Sequence, residues 1–321
     1  MKLIYFTIIS FLIISQSAMA QDNPRKYLED AILVMRQNSV NKGSIDWQKV
    51  TKNAIDSLGN KKTIKEVYPV IISCLEQLGD NHSKFFKPEV VNFYMKSYKE
   101  NGEPFPYPKD SLIDNHIGYI SIPSIGSFND GDWNIYVSDF YKKVKSLDSK
   151  KLIAWVIDVR GNEGGMFSPM FKAVQPFLDK VNVIGSKDNK GQISYYTIKK
   201  DNILFDNRII ATIKIQNIKL RHKNIPIFIL TDKKTASSGE FVVASFVGQE
   251  NVTIVGTNTQ GLTSDNSEFK LSDGSFLVLT TGNIVDRNGK EYIEVGKGIL
   301  PDIKVVSHHL NEYINVVKGK L

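Results

Sequence analysis

Cysteine is nearly absent, with one residue in 321, Cys74. A single thiol closes no intramolecular disulfide and builds no cysteine-rich metal centre, so packing has to stabilise the fold. Glycine (22) and proline (11) are too sparse for a collagen-like or low-complexity chain, and 41% hydrophobic against 23% charged residues excludes intrinsic disorder. No internal repeat, His-Glu-x-x-His pair, calcium loop or nucleotide-binding glycine loop occurs, so neither a metal nor an organic cofactor is expected. A net charge of +7 permits an acidic partner. Its basic clusters, Lys61-Lys62, Lys199-Lys200 and Lys219 to Lys223, are short, scattered and mixed with acids, however, so no nucleic-acid partner is expected.

A membrane span is also missing. Leu3 to Ile14 is an apolar run of about a dozen residues, short of the roughly 20 that cross a bilayer. Met1-Lys2 before it is basic, and Ala18-Met19-Ala20 after it has the small-x-small pattern of a signal-peptidase site. Cleavage after Ala20 and export to a periplasm or the medium are expected. No cysteine follows the run to carry a lipid, so no stable membrane anchor is expected after cleavage.

What is present divides the chain into a signal peptide (1–20), a helical cap with a linker (21–110) and an α/β core (111–321). Spacings of three and four among Leu28, Ile32 and Met35, and again from Ile64 to Leu78, predict helices. A polar stretch from Tyr98 to Asp110 with three prolines reads as a crossing loop. Beyond His116 come short β-branched runs, among them Ile117 to Ile122, Leu152 to Val159 and Ile225 to Leu230, with helical stretches between them. Residues 190–220 alternate apolar and polar, which fits an inserted hairpin or edge strands.

Two strand-to-helix junctions carry candidate chemistry. Asp158-Val159-Arg160-Gly161-Asn162-Glu163-Gly164-Gly165 places paired glycines where free backbone N–H groups can hold an anion, or can merely make a tight turn braced by an Asp158–Arg160 ion pair. Thr235-Ala236-Ser237-Ser238-Gly239-Glu240 places a serine where its hydroxyl can stand above the sheet, and equally satisfies a capping box of Ser237 with Glu240. A serine nucleophile needs a base, and the chain has five histidines. Of these, His82 stands on a loop after Leu78-Gly79-Asp80-Asn81.

Together these residues resemble the tail-specific, or C-terminal processing, serine peptidases, in the branch that includes the tricorn core and the nisin-resistance protein. The resemblance rests on Leu78 to His82, Gly118-Tyr119-Ile120, Asp158 to Gly165, Thr235 to Glu240, Gly256 to Gly261 and Gly298-Ile299-Leu300-Pro301-Asp302, in family order. It implies a crotonase/Clp-protease-like β-β-α core and a protein or peptide substrate. It also implies that Ser237 is the nucleophile, with Ser238 as runner-up, and that the Gly164-Gly165 turn and the Ser238 N–H form an oxyanion hole. In the C-terminal processing branch the base is a lysine after the glycine matching Gly261, and here that position is Leu262. The tricorn-like branch instead implies His82, with Glu294 or Glu240 orienting it.

No PDZ domain fits between His82 and Gly118, so substrate selection is expected to fall to the cap, the crossing loop and the cleft. A catalytically silent peptide- or apolar-ligand-binding protein on the same scaffold is the alternative from another class, and acyl-CoA chemistry is disfavoured by export.

Overall fold

The computed structural model describes residues 23–321; the expected signal peptide and its cleavage site lie outside the described residues. Three helices open the described chain, α1 (Pro24–Asn38), α2 (Trp47–Leu58) and α3 (Ile64–Glu76). Each starts where the sequence supplies a cap. Asn23 accepts from the Lys26 N–H at 3.0 Å, Asp46 accepts from Lys49 at 3.0 Å, and Thr63 with Glu66 forms a capping box. The apolar faces predicted from the spacing are buried, with Leu28, Ala31 and Met35 of α1 against Val67, Ile71 and Cys74 of α3.

Next come β1 (Lys84–Phe86), α4 (Pro88–Met95) and the single turn α5 (Tyr98–Asn101), followed by β2 (Asp110–Ile113) and β3 (Ile117–Ser121). The crossing loop therefore begins as a helical turn, because Ser97 and Glu100 cap it and Gly102 ends it in the left-handed region. The chain continues through α6 (Asp130–Asp148), β4 (Ala154–Asp158), α7 (Phe167–Val174), β5 (Ile184–Asp188), β6 (Ile193–Lys199), β7 (Asn202–Phe205) and β8 (Arg208–Thr212). It closes with β9 (Ile227–Thr231), α8 (Ser238–Ala244), β10 (Val252–Gly256), β11 (Ser264–Lys270), β12 (Phe276–Asp286), β13 (Ile303–Lys304) and α9 (Leu310–Lys318).

Two sheets result, giving the expected mixed α/β fold. A six-stranded sheet runs β13-β10-β9-β4-β3-β2, parallel except for the β2–β3 pair. Its central strands β4 and β9 are buried along their whole length, which is why they read as continuous apolar runs rather than alternating ones. The second sheet is antiparallel, ordered β1-β12-β5-β6-β7-β8, with β11 also paired to β12. The alternating segment at 190–220 supplies its β6–β7–β8 meander. Strand β12 joins the layers: Leu277 and Leu279 are fully buried against the α1–α3 helices, and β1 pairs along the same strand. No described helix is long and apolar enough to cross a membrane.

Candidate active site

Strands β4 and β9 are parallel neighbours, so the turns after them, residues 159–166 and 232–237, emerge side by side at their carboxyl ends. Open α/β sheets place ligands at this end of the strands. Ser237 sits at the N-terminus of α8 with φ 51° and ψ −122°. For a residue with a Cβ this conformation is strained, and it persists only where neighbouring contacts enforce it. Those contacts are identifiable. Ala236 donates its N–H to the Asn162 carbonyl at 2.9 Å, Gly239 donates to the Ala236 carbonyl at 2.8 Å, and Ser237 donates its own N–H to the Glu240 carboxylate at 3.1 Å.

His82 enters from the other sheet, on the loop between α3 and β1. Asp80 folds that loop, accepting from the N–H groups of His82 (2.9 Å) and Ser83 (2.7 Å), while Ser83 Oγ accepts from the Thr280 N–H of β12 at 3.0 Å. The imidazole spans two hydroxyls, with Nε2 3.1 Å from Ser237 Oγ and Nδ1 2.7 Å from Ser264 Oγ. Only 7% exposed, it is pushed down to about 4 from its usual 6.5, first by burial and then by the positive charge of Lys84.

The glycine pair packs against the serine. Gly164 has φ 105°, and a Cβ there would lie 2.8 Å from Ser237 Cβ. One on Gly165 would lie 2.2 Å from the Ile125 carbonyl oxygen. Asn162, 1% exposed, holds this turn: its Oδ1 accepts from Gly164 N–H (2.9 Å) and Ser124 Oγ (3.1 Å), and its Nδ2 donates to the Ile122 carbonyl (2.8 Å). The Gly164 N–H is therefore already taken. Among the described hydrogen bonds, the N–H groups of Gly165 and Ser238 are given to no protein acceptor, and both residues line the cleft. The Ser238 hydroxyl ties the two segments by donating to the Gly165 carbonyl at 2.6 Å. The expected brace is also present, since Arg160 makes a bidentate pair with Asp158 (2.8 and 2.7 Å) that Tyr119 extends.

The two glutamates lie elsewhere than expected. Glu294 is exposed and pairs with Lys297 at 2.6 Å; it does not meet His82. It lies in the loop after β12, on a side chain 65% exposed, where water competes for the carboxylate. Glu240 is fully buried but turned away from the imidazole. Its carboxylate accepts from the Thr259 hydroxyl and from the N–H groups of Gly261 (2.8 Å), Leu262 (2.8 Å) and Ser237. Burial raises its pKa against the opposing pull of these donors.

Sequence reasoning missed Asn162, although it stands inside the glycine motif, and Ser264, which no local pattern marks. Of the other histidines, His222 bonds Asp148 at 2.9 Å and His309 occupies the N-cap position of α9 without a side-chain capping bond.

The pair opens into a cleft of about 890 Å³. Met166, Phe167, Tyr196 and Phe241 give it an apolar wall near Ser237, with Phe167 packed 5.2 Å from the rings of both Tyr196 and Phe241. Among the described residues no cluster of His, Cys, Asp or Glu could hold a metal.

Known proteins are similar to this chain in sequence and in fold. The sequence pattern of Peptidase family S41 covers residues 116–305. The nisin-resistance protein of Lactococcus lactis subsp. lactis is 28% identical over 282 residues, 88% of this chain and 83% of that protein. The carboxy-terminal processing protease CtpA of Bacillus subtilis (strain 168) is 26% identical over 65% of this chain and 39% of its own length. Among solved structures, a lipoprotein from Streptococcus agalactiae superposes with a TM-score of 0.78 at 26% identity, over 93% of this chain and 97% of that one. The photosystem II D1 C-terminal processing protease shares the fold, with a TM-score of 0.60 at 13% identity over 90% of this chain and 95% of its own. With more than half of its length matched by the family pattern, the chain belongs to peptidase family S41 and is a serine peptidase.

Proposed function

We propose that the protein is an exported endopeptidase that cuts proteins or peptide tails through a Ser237–His82 pair and an acyl-enzyme. The observation that carries this reading is the 3.1 Å approach of His82 Nε2 to Ser237 Oγ, at the mouth of the cleft and beside two uncommitted N–H groups. His82 takes the Ser237 proton as Oγ attacks a peptide carbonyl. The N–H groups of Gly165 and Ser238 receive the developing oxyanion, and the protonated imidazole gives its proton to the leaving amine. Water, deprotonated by the same imidazole, then releases the acyl group. A histidine held near 4 is neutral throughout the neutral range, which is the form a base requires.

Export is supported by the sequence pattern up to Ala20. The likeness to the nisin-resistance protein puts antimicrobial peptides among the substrates to try.

The test is mass-spectrometric analysis of a diverse peptide library, with nisin added, after incubation with the mature protein and with Ser237→Ala, His82→Ala and Ser238→Ala. Cleavage should vanish with the first two. It should persist, weakened, with the third, which keeps the backbone N–H. Undiminished cleavage by Ser237→Ala would sink the proposal; a folded wild-type protein that cuts nothing would favour a binding protein on the same scaffold.

A further inference from the structure

We infer that Ser264 is the positioning residue of the active-site histidine, its hydroxyl accepting the Nδ1 proton so that the site runs as a Ser–His–Ser relay with no carboxylate in it. This assignment rests on the Ser237–His82 reading above.

A neutral imidazole has one donor nitrogen and one acceptor nitrogen. If Ser264 donated to Nδ1, the proton would sit on Nε2, and His82 could not accept one from Ser237. Only the tautomer with Nδ1–H pointing at Ser264 leaves a lone pair facing the nucleophile. The 2.7 Å contact between Nδ1 and Ser264 Oγ serves that tautomer, with the hydroxyl oxygen accepting from Nδ1–H and the hydroxyl proton turned away from the ring.

The neighbouring charges are engaged elsewhere. Asp80, on the loop that carries the histidine, is spent on backbone N–H groups and the Ser83 hydroxyl. Glu240 of α8 faces Thr259 and the amides of Gly261 and Leu262, and Asp265 of β11 accepts from the Tyr196 hydroxyl at 2.8 and 2.9 Å. Through space, Lys84 of β1 opposes protonation of the ring, and Asp80, which makes no described hydrogen bond to it, favours protonation by a smaller amount. Glu163, Glu268, Asp188, Lys42, Lys190 and Arg208 line the same cleft without a described bond to the imidazole.

Ser264 is well placed for the task. It opens β11 two residues after Leu262, and the amides of Gly261 and Leu262 are pinned by Glu240, the same carboxylate that receives the Ser237 N–H. One buried group thus fixes both the nucleophile and the strand that orients the base. A neutral hydroxyl in the third position can hold the Nδ1 proton but adds no charge to offset the burial and the Lys84 charge that keep the imidazole unprotonated in mild acid.

The experiment measures kcat and KM from pH 3.5 to 8 on a peptide that the wild type cleaves, for wild type, Ser264→Ala, Ser264→Thr and Ser264→Asp, with the fold of each checked by circular dichroism. Ser264→Ala should lower kcat about tenfold or more with little change in KM, because the tautomer is no longer imposed. Ser264→Thr, which keeps the hydroxyl and suits a strand, should restore most of the rate. Ser264→Asp should move the acid limb of kcat/KM upward by a unit or more, a displacement that a purely structural role would not produce. A folded Ser264→Ala with unchanged kcat overturns the inference, as does a folded Ser264→Asp with an unmoved acid limb. If Ser237→Ala or His82→Ala stays active, the underlying Ser–His reading falls first; if both are dead while Ser264 is dispensable, the inference alone fails.

Discussion

Replacing Glu240 by Gln changes one buried atom, and the four donors around the carboxylate set the cost. Each oxygen takes two of them, Thr259 Oγ1 and Gly261 N–H on Oε1, Ser237 and Leu262 N–H on Oε2. Glutamine has only one accepting oxygen. Turning its amide nitrogen toward Ser237 and Leu262 would leave two buried N–H groups facing a donor. The cheaper orientation turns it toward Thr259, whose hydroxyl oxygen also accepts from Ile299 N–H at 2.7 Å, and leaves the Gly261 N–H unpaired. One unsatisfied buried donor costs roughly 1–3 kcal/mol, and the remaining bonds each lose about 1 kcal/mol of charge assistance. The total is about 4 kcal/mol, a large fraction of the roughly 5–15 kcal/mol that holds a typical protein folded. At roughly 2 °C per kcal/mol for a chain of this size, the melting temperature should fall by about 8 °C. Thermal unfolding monitored by circular dichroism and calorimetry measures the fall, and peptide cleavage below the transition should show kcat reduced as the Ser237 turn loosens. A Glu240→Gln protein that melts within about a degree of wild type with an unchanged rate would refute the reasoning.

The remaining predictions are briefer. The acid limb of kcat/KM should lie near pH 4 rather than 6.5, because burial and Lys84 hold His82 neutral; a limb near 6.5 in the pH–rate profile would contradict the environment described. Stability depends on the same group with a definite sign: between pH 6.5 and 4 the unfolded histidine binds a proton that the folded one refuses. His82 therefore contributes a loss of about 3 kcal/mol over that window and nothing above it, as urea titrations against His82→Gln should show. Gly164→Ala would place a methyl 2.8 Å from Ser237 Cβ at φ 105°, so it should abolish cleavage in a chain that still folds, as assayed with the peptide library. Asn162→Ala removes the acceptor of the Gly164 N–H and a bond to the Ile122 carbonyl; denaturant midpoints should register a loss of about 2–4 kcal/mol, with a lower kcat.

Much of this was legible in the sequence because the signals were local. The strand-to-helix junctions after β4 and β9 carry small residues and glycines in a row, and the apolar run before each identifies a buried parallel strand, so Gly165, Ser237 and Ser238 are readable from either side. His82 stands out through the shortage of histidines. The residue that meets its far nitrogen does not, because Ser264 stands 182 positions away on a strand with no turn, cap or periodicity to mark it. Glu294 failed for a related reason. The family resemblance implies a role for it, whereas the loop after β12 turns its side chain to solvent and Lys297. Local sequence offers Glu240 as a cap and the resemblance offers it as a base-orienting acid; the cap bond to Ser237 is present, and the other acceptor positions serve Thr259, Gly261 and Leu262, a use visible only once β11 is in place.

The separation of His82 from Ser237 by 155 positions bears on when the chemistry can exist. The loop that carries His82 is seated through Ser83 on Thr280, and the helices before it rest on Leu277 and Leu279, so the base has no fixed place until β12 has joined the fold. During synthesis, N-terminus first, His82 emerges early, Ser237 late and β12, the strand on which the His82 loop is seated, later still. On the proposed Ser237–His82 mechanism a nascent chain is therefore hydrolytically inert, and the peptidase is armed only by completion of its own fold.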